Sequence, residues 1–226
     1  ADRIITLGQS GKTFYTRVLG LPDNKIAVIP VPHPVYPEHL APANPQPIIG
    51  TPAELTERKG LLYLLQAVPT VLKRYSNAQF LIMGRGPLEH VLRQRISEQG
   101  LQDNIRLLGF VPHVAEQMAS WDMLVLPSLW DPFPQVILEA MAHGLPVVAS
   151  AVDGAVEMVV DGETGILVPP ANAQALAEAI VCLLDDRTLA RQMGHKGRQR
   201  VAQVYSVERV VGMLDALYQE LLEKRR

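Results

Sequence analysis

The chain holds a single cysteine, Cys182, so it can form no internal disulfide. The flanks Ala179-Ile180-Val181 and Leu183-Leu184 read as the buried face of a helix, an ordinary place for an unpaired thiol. Charge of one sign is equally scarce. Lys plus Arg total 21 against 23 Asp plus Glu, which leaves a net charge of −2 and a pI near 6.3. That balance gives no electrostatic reason to expect nucleic acid or an anionic membrane as a partner. No apolar run approaches the roughly 18 residues of a membrane span, and no signal peptide is visible, so a cytoplasmic setting is expected. His33, His113, His143 and His195 show no metal-ligand spacing with Cys182 or with acids, and no metal is expected.

Two nucleotide motifs are missing as well. Gly8-Gln9-Ser10-Gly11-Lys12-Thr13 resembles the end of a phosphate-binding loop, but Thr6 stands where that loop needs its first glycine, so a glycine-containing helix start is expected. No Gly-x-Gly-x-x-Gly follows a first strand, which disfavours a nicotinamide-dependent dehydrogenase.

What is present is a large apolar fraction, 48% of 226 residues, enough for a sizeable core. Between residues 46 and 170, short apolar runs alternate with amphipathic stretches, the pattern of βαβ units around a parallel sheet. The runs are Pro47–Gly50, Phe80–Met83, Ile105–Leu108, Met123–Leu126, Pro146–Ala149 and Gly165–Val168, six strands in all. A helix is expected from about Lys59 to Arg74 with Leu61, Leu62, Leu65, Val68 and Leu72 on its buried face. A second runs from Leu88 to Gln99 and is closed by Gly100. Trp121 and Trp130 flank the fourth strand and are expected to pack.

Residues 1–31 carry their own strand, helix and strand. Residues 32–47 are rich in proline and read as a linker. Residues 48–205 hold the six-stranded unit. In residues 206–226, Val207, Val210, Val211, Leu214, Leu217, Tyr218 and Leu221 repeat at helical spacing behind a Ser206 cap, with Lys224, Arg225 and Arg226 at the negative end of that helix. The chain opens on Ala1-Asp2-Arg3 rather than Met and is expected to be a piece of a longer protein.

The most informative feature is the pair Asp131 and Glu139. If a helix starts near Phe133, Glu139 lies about a turn and a half along it and Asp131 stays in the loop before it, so both acids face one pocket at a helix N-terminus. Orphan N–H groups and the helix dipole favour an anion there. The acids are therefore better suited to neutral hydroxyls, and a phosphate flanked by hydroxyl acceptors suggests a nucleotide sugar. Lys59, placed after the first strand of the unit, offers an ammonium for a leaving diphosphate. Gly84-Arg85-Gly86-Pro87 either lets backbone approach a ligand or makes an ordinary tight strand-to-helix turn.

The run from Asp131 to Val168 resembles the retaining nucleotide-sugar glycosyltransferases of the GT-B fold, called glycosyltransferase group 1 or family 4. The resemblance rests on the Asp131-x7-Glu139 spacing, Glu139-Ala140-Met141-Ala142, Gly144-Leu145-Pro146-Val147-Val148-Ala149-Ser150, Val152-Asp153-Gly154-Ala155-Val156-Glu157 and Asp161-Gly162-Glu163-Thr164-Gly165. Leu55–Gly60, Gly84–Pro87, Leu108–Pro112 and Asp122–Ser128 extend it over nearly the whole chain.

The resemblance implies an α/β fold, a Rossmann-like three-layer α/β/α domain with a mainly parallel six-stranded sheet, the C-terminal donor-binding half of a GT-B enzyme. Residues 1–31 would then be the tail of the N-terminal acceptor domain and the last helix a segment crossing back to it. Asp131 would take donor-sugar hydroxyls and Glu139 the ribose hydroxyls. Lys59 would hold the diphosphate with amides near Gln135 and Val136, and backbone at Val111 would read the base. The implied partners are a nucleoside-diphosphate sugar, such as a UDP-sugar, and a hydroxyl acceptor held by the acceptor domain. No cofactor is implied.

The chain departs from the family at Ala53-Glu54-Leu55, where Gly-Arg-Leu is usual, so a glutamate replaces a diphosphate-binding arginine. Arg85 stands where Asp is common. Glu54 and Arg85 are therefore expected to be a charge-swapped pair, with Arg85 supplying the guanidinium and Arg58 as the second choice. A fragment that binds nucleotide and transfers sugar poorly is the expectation. Glu54 motivates the alternative, an interaction module with a degraded diphosphate site. The apolar stripe of the last helix is expected to fold back or to self-associate.

Overall fold

A computed structural model describes residues 2–36 and 46–224. Pro37, Pro42 and Pro45 of the expected linker, and Arg225 and Arg226, lie outside the described residues.

The first segment holds β1 (Ile4–Thr6), α1 (Gln9–Thr13) continued by a π-helical turn Phe14–Val18, and β2 (Ile26–Val28). β1 and β2 pair in parallel as a separate two-stranded sheet. Then follow β3 (Ile48–Pro52), a 3-10 turn Glu57–Lys59, α2 (Leu61–Leu72), β4 (Gln79–Met83), α3 (Glu89–Glu98), β5 (Ile105–Leu107), α4 (Val114–Met118), β6 (Met123–Leu126) and α5 (Gln135–Ala142). The chain continues through β7 (Val147–Ser150), α6 (Asp153–Met158), β8 (Gly165–Val168), α7 (Ala173–Asp185), α8 (Arg187–Val204) and α9 (Val207–Glu223).

The large sheet runs β5-β4-β3-β6-β7-β8, with every pairing parallel. Its central strands are largely apolar because both faces are covered, while the edge strand β5 exposes Arg106. Met123 and Val125 of β6 join the cluster under α2, α3 and α7, while Leu124 and Leu126 join the opposite cluster under α5 and α8. The period-2 alternation of a strand thus splits one run between two cores, giving three layers. Gly50 serves this packing: a Cβ there would fall 2.1 Å from the ring of Trp121, which is fully buried on the sheet.

The order of the strands fixes where a ligand can sit. From β3 the chain moves outward through β4 to β5, then returns to β6 on the other side of β3. The loops after β3 and β6 therefore diverge at a topological switch point, the crevice where open α/β sheets bind ligands.

α9 lies on the first segment. Ile29 packs with Val210 and Leu217, backed by Met213, Leu214 and Leu221. Arg3 bonds Glu220, and the ammonium of Lys224, followed by Arg3, holds the Glu220 carboxyl below its ordinary pKa. Ser206 accepts from the Arg209 N–H at 3.4 Å, as its capping role requires. Tyr36 stacks on His143 at 4.2 Å between ring centroids, and its carbonyl accepts two bonds from Arg198, at 3.0 and 2.7 Å.

Several expectations change. Cys182 is exposed: Ile180, Leu183 and Leu184 point inward, and position 182 falls on the outer arc. On α2 the fully buried leucines and valines are Leu61, Leu64, Leu65, Val68 and Val71, whereas Leu62 and Leu72 are half-buried. Trp130 does not pack into the core; it is 54% exposed.

Candidate functional site

Two loops build the site. The one after β3 turns through Glu57–Lys59 and stops at Gly60, whose φ of 63° is left-handed. A Cβ at Gly60 would lie 1.9 Å from the Pro127 carbonyl oxygen, so only glycine lets this loop touch the one after β6. The contact is sealed by backbone. Leu129 N–H donates to the Arg58 carbonyl at 2.7 Å and Trp130 N–H to the same oxygen at 3.2 Å.

This clamp sets Lys59 against Asp131, and Lys59 Nζ donates to Asp131 Oδ2. The side chains are 13% and 7% exposed, so this is a buried pair rather than a surface contact. Asp131 is also held from behind, where Gly154 N–H donates to its carbonyl at 3.2 Å. A Cβ on Gly154 would meet the Pro132 carbonyl oxygen at 2.5 Å, so the start of α6 can rest on the Asp131 loop only as glycine.

α5 begins at Gln135, directly after this loop. Ile137 N–H bonds the Pro134 carbonyl at 2.9 Å. The Gln135 and Val136 amides have no intrahelical partner, as at any helix start. Glu139 follows on the same helix, half-buried, and among the described residues its carboxylate makes no hydrogen bond or ion pair. The structure thus brings Lys59, Asp131 and the α5 start to the switch point, with Glu139 one turn further along α5. Val111 stands after β5 at the far edge of the sheet, packed on the second core.

Glu54 does not pair with Arg85. Its partner is Arg58, at 2.9 Å, because the turn at Glu57–Lys59 brings residue 58 back over residue 54. β3 and β4 are neighbours as expected, but Arg85 meets the β3 loop only through backbone: its carbonyl accepts from Leu55 N–H at 3.0 Å and its side chain is exposed. The glycines beside it serve packing. A Cβ at Gly84, φ 151°, would fall 1.9 Å from the Ala53 carbonyl oxygen, and one at Gly86 2.5 Å from that of Leu55.

Glu157 is a residue that spacing alone did not single out. Its carboxylate accepts from Gln9 N–H at 2.6 Å and Ser10 N–H at 2.8 Å, capping α1 from another part of the chain. Arg200 holds the carbonyls of Glu157 and Met158, each at 2.8 Å. A Cβ at Gly8 would stand 2.9 Å from the same carboxylate, so the cap passes close to this backbone. The helix start at Gly8–Thr13 is therefore capped by a protein carboxylate distant in the chain, which local spacing does not reveal.

Fold and site define a class: a Rossmann-like α/β domain, six parallel strands wide, with a lysine and an acid facing across its switch point. The chain belongs to the family Glycosyl transferases group 1, which matches residues 46–186. It is 32% identical over 178 residues to an alpha-D-kanosaminyltransferase of Streptomyces kanamyceticus, covering 78% of this chain and 46% of that protein. Sucrose-phosphate synthase from Thermosynechococcus elongatus superposes with a TM-score of 0.87 at 30% identity, over 99% of this chain and 59% of that one. Anabaena Alr3699/HepE, solved in complex with UDP and glucose, gives 0.84 at 24% identity over 98% and 63% of the two chains and shares the GT-B fold. The chain spans less than half the length of the kanosaminyltransferase. Among the described residues no helix is long and apolar enough to cross a membrane.

Proposed function

We propose that this chain is the donor-binding part of a retaining glycosyltransferase that moves a sugar from a nucleoside diphosphate to a hydroxyl acceptor. The observation that carries the reading is the Lys59–Asp131 pair beside the start of α5. A cation, a carboxylate and two uncommitted amides converge where a sugar diphosphate presents charge and hydroxyls.

In this reading the diphosphate takes the amides of Gln135 and Val136 and draws Lys59 away from Asp131. Asp131 is released to accept hydrogen bonds from the donor sugar, and Glu139 accepts from the ribose. Val111 backbone meets the base. Arg85 and Arg58 are the further cations on the loops after β4 and β3. Charge on the leaving diphosphate is then stabilised by Lys59 and helix amides without a metal. Transfer proceeds on the face the diphosphate leaves, with the leaving phosphate taking the acceptor proton, so catalysis is chiefly positioning.

Residues 1–31 and α9 belong, in this reading, to the acceptor side of the cleft, and the chain alone transfers sugar weakly. The exposed stripe of α9, Val207, Val211, Tyr218 and Leu222, is open to self-association. Glu54 no longer argues for a degraded interaction module, since Arg58 neutralises it.

Calorimetry tests the reading. UDP, the nucleotide held by the Anabaena neighbour, is the first to try, followed by GDP, ADP and their sugars. Binding that falls about tenfold or more in Lys59→Ala supports it, a loss of at least ~1.4 kcal/mol. Absence of binding to every nucleotide by the folded chain overturns it. Arg85→Ala tests the further cation in the same experiment: unchanged affinity removes Arg85 from the site.

A further inference from the structure

The two tryptophans on either side of β6 have opposite fates. Trp121 is fully buried in the sheet core, and Trp130 is 54% exposed, although it directly precedes the buried Asp131. The exposed Trp130 ring lies on the loop after β6 that carries Asp131, at the surface beside the candidate site.

Trp130 is not loose. Its N–H is bonded to the Arg58 carbonyl at 3.2 Å, and the Arg58 guanidinium stands 5.9 Å from its ring centroid, within cation–π range. Arg58 is itself fixed by Glu54 at 2.9 Å. The two loops thus meet in successive rungs. Lys59 with Asp131 is the inner one, charged and buried; Arg58 with Trp130 is the outer one, aromatic and exposed.

A held aromatic plane on the loop that also carries a site carboxylate suits the recognition of a pyranose. Such a ring has a hydroxyl rim, which seeks acceptors, and a face of C–H groups, which packs on an aromatic π-system. We infer that Trp130, braced by Arg58, is a stacking platform for a pyranose ring at the mouth of the site, with the hydroxyl rim turned toward Asp131. This rests on the donor reading above for the neighbouring phosphate groups.

Intrinsic fluorescence of the intact chain tests this, since it holds only two tryptophans and Trp121 is shielded. Acrylamide-quenchable emission therefore reports Trp130. The probes are UDP, UDP-glucose, UDP-N-acetylglucosamine and methyl α-glucopyranoside, followed by calorimetry on Trp130→Ala and Trp130→Phe. The expected result is that a sugar-bearing probe shields Trp130 and UDP alone does not. Trp130→Ala should weaken the UDP-sugar about tenfold and UDP by less than about twofold, with Trp130→Phe restoring most of the loss.

Shielding by the free glucoside rather than by UDP-sugars assigns the platform to an acceptor sugar and also supports the inference. Equal shielding by UDP and UDP-sugars, with equal loss of both in Trp130→Ala, makes it a base stack and overturns it. No shielding by any sugar overturns it too. If UDP does not bind at all, the donor reading fails by itself, and the glucoside alone decides the platform: shielding supports it, no shielding overturns it.

Discussion

Lys59 and Asp131, 72 positions apart in the chain, are a buried ion pair across the switch point of the sheet. Each belongs to a loop that leaves a central strand, β3 or β6, and Gly60 lets the loops touch. The pair ties the two loops together, and under the proposed function it is the contact that a diphosphate exchanges for its own.

Removing one partner leaves a buried charge without a counter-ion. Lys59→Met is expected to cost about 3 kcal/mol in urea unfolding, while the double variant Lys59→Met with Asp131→Asn should cost clearly less than the sum of the two single changes. Additive losses would mean that the two groups do not interact in solution.

Asp131→Asn separates competition from recognition. Without the carboxylate, Lys59 is free for phosphate, so UDP affinity is expected to rise about threefold or more while the advantage of UDP-sugar over UDP disappears. Calorimetry with both ligands reads the two effects. A parallel fall in both affinities would contradict the exchange.

Glu157 joins α1 to the Asp131 side of the site through two charge-assisted bonds. Glu157→Gln is expected to lose roughly 1–2 kcal/mol of stability and to speed hydrogen exchange at the Gln9 and Ser10 amides. Unaltered exchange there would show that the cap does not persist.

Tyr205, between α8 and α9, is buried, and burial followed by the nearby Glu157 charge raises its phenol pKa above the ordinary 10.0, against the pull of Arg200. The folded state therefore keeps its proton longer than the unfolded state. The stabilisation from this group is complete below pH 10.0 and is lost as the pH climbs through the raised value. Urea midpoints measured from pH 9 to 11 should fall more steeply for the wild type than for Tyr205→Phe, and equal slopes would contradict this (the range is about one unit either side of the ordinary value).

Much of the framework was legible because it depends on pattern. All six strands of the large sheet fall on the short apolar stretches, which are most continuous in the central strands that helices cover on both faces. Gly100, with φ 66°, follows α3, and Ser206 caps α9. What escaped depended on a one-residue rotation or on a distant partner. Cys182 sits among apolar neighbours yet faces out, because Ile180, Leu183 and Leu184 define the inward arc of α7. The Glu54 partner is not legible from strand adjacency, which points to Arg85, because a short turn within the same loop delivers Arg58. Trp130 reads like a packing residue until its loop is seen to be held at the surface by Arg58.

The most direct test of the account is a crystal structure of the chain with UDP. The diphosphate is expected at the Gln135 and Val136 amides, with Lys59 Nζ turned from Asp131 onto phosphate oxygen and the ribose hydroxyls on Glu139. UDP bound elsewhere, or bound at the α5 start with Lys59 still on Asp131, would contradict it.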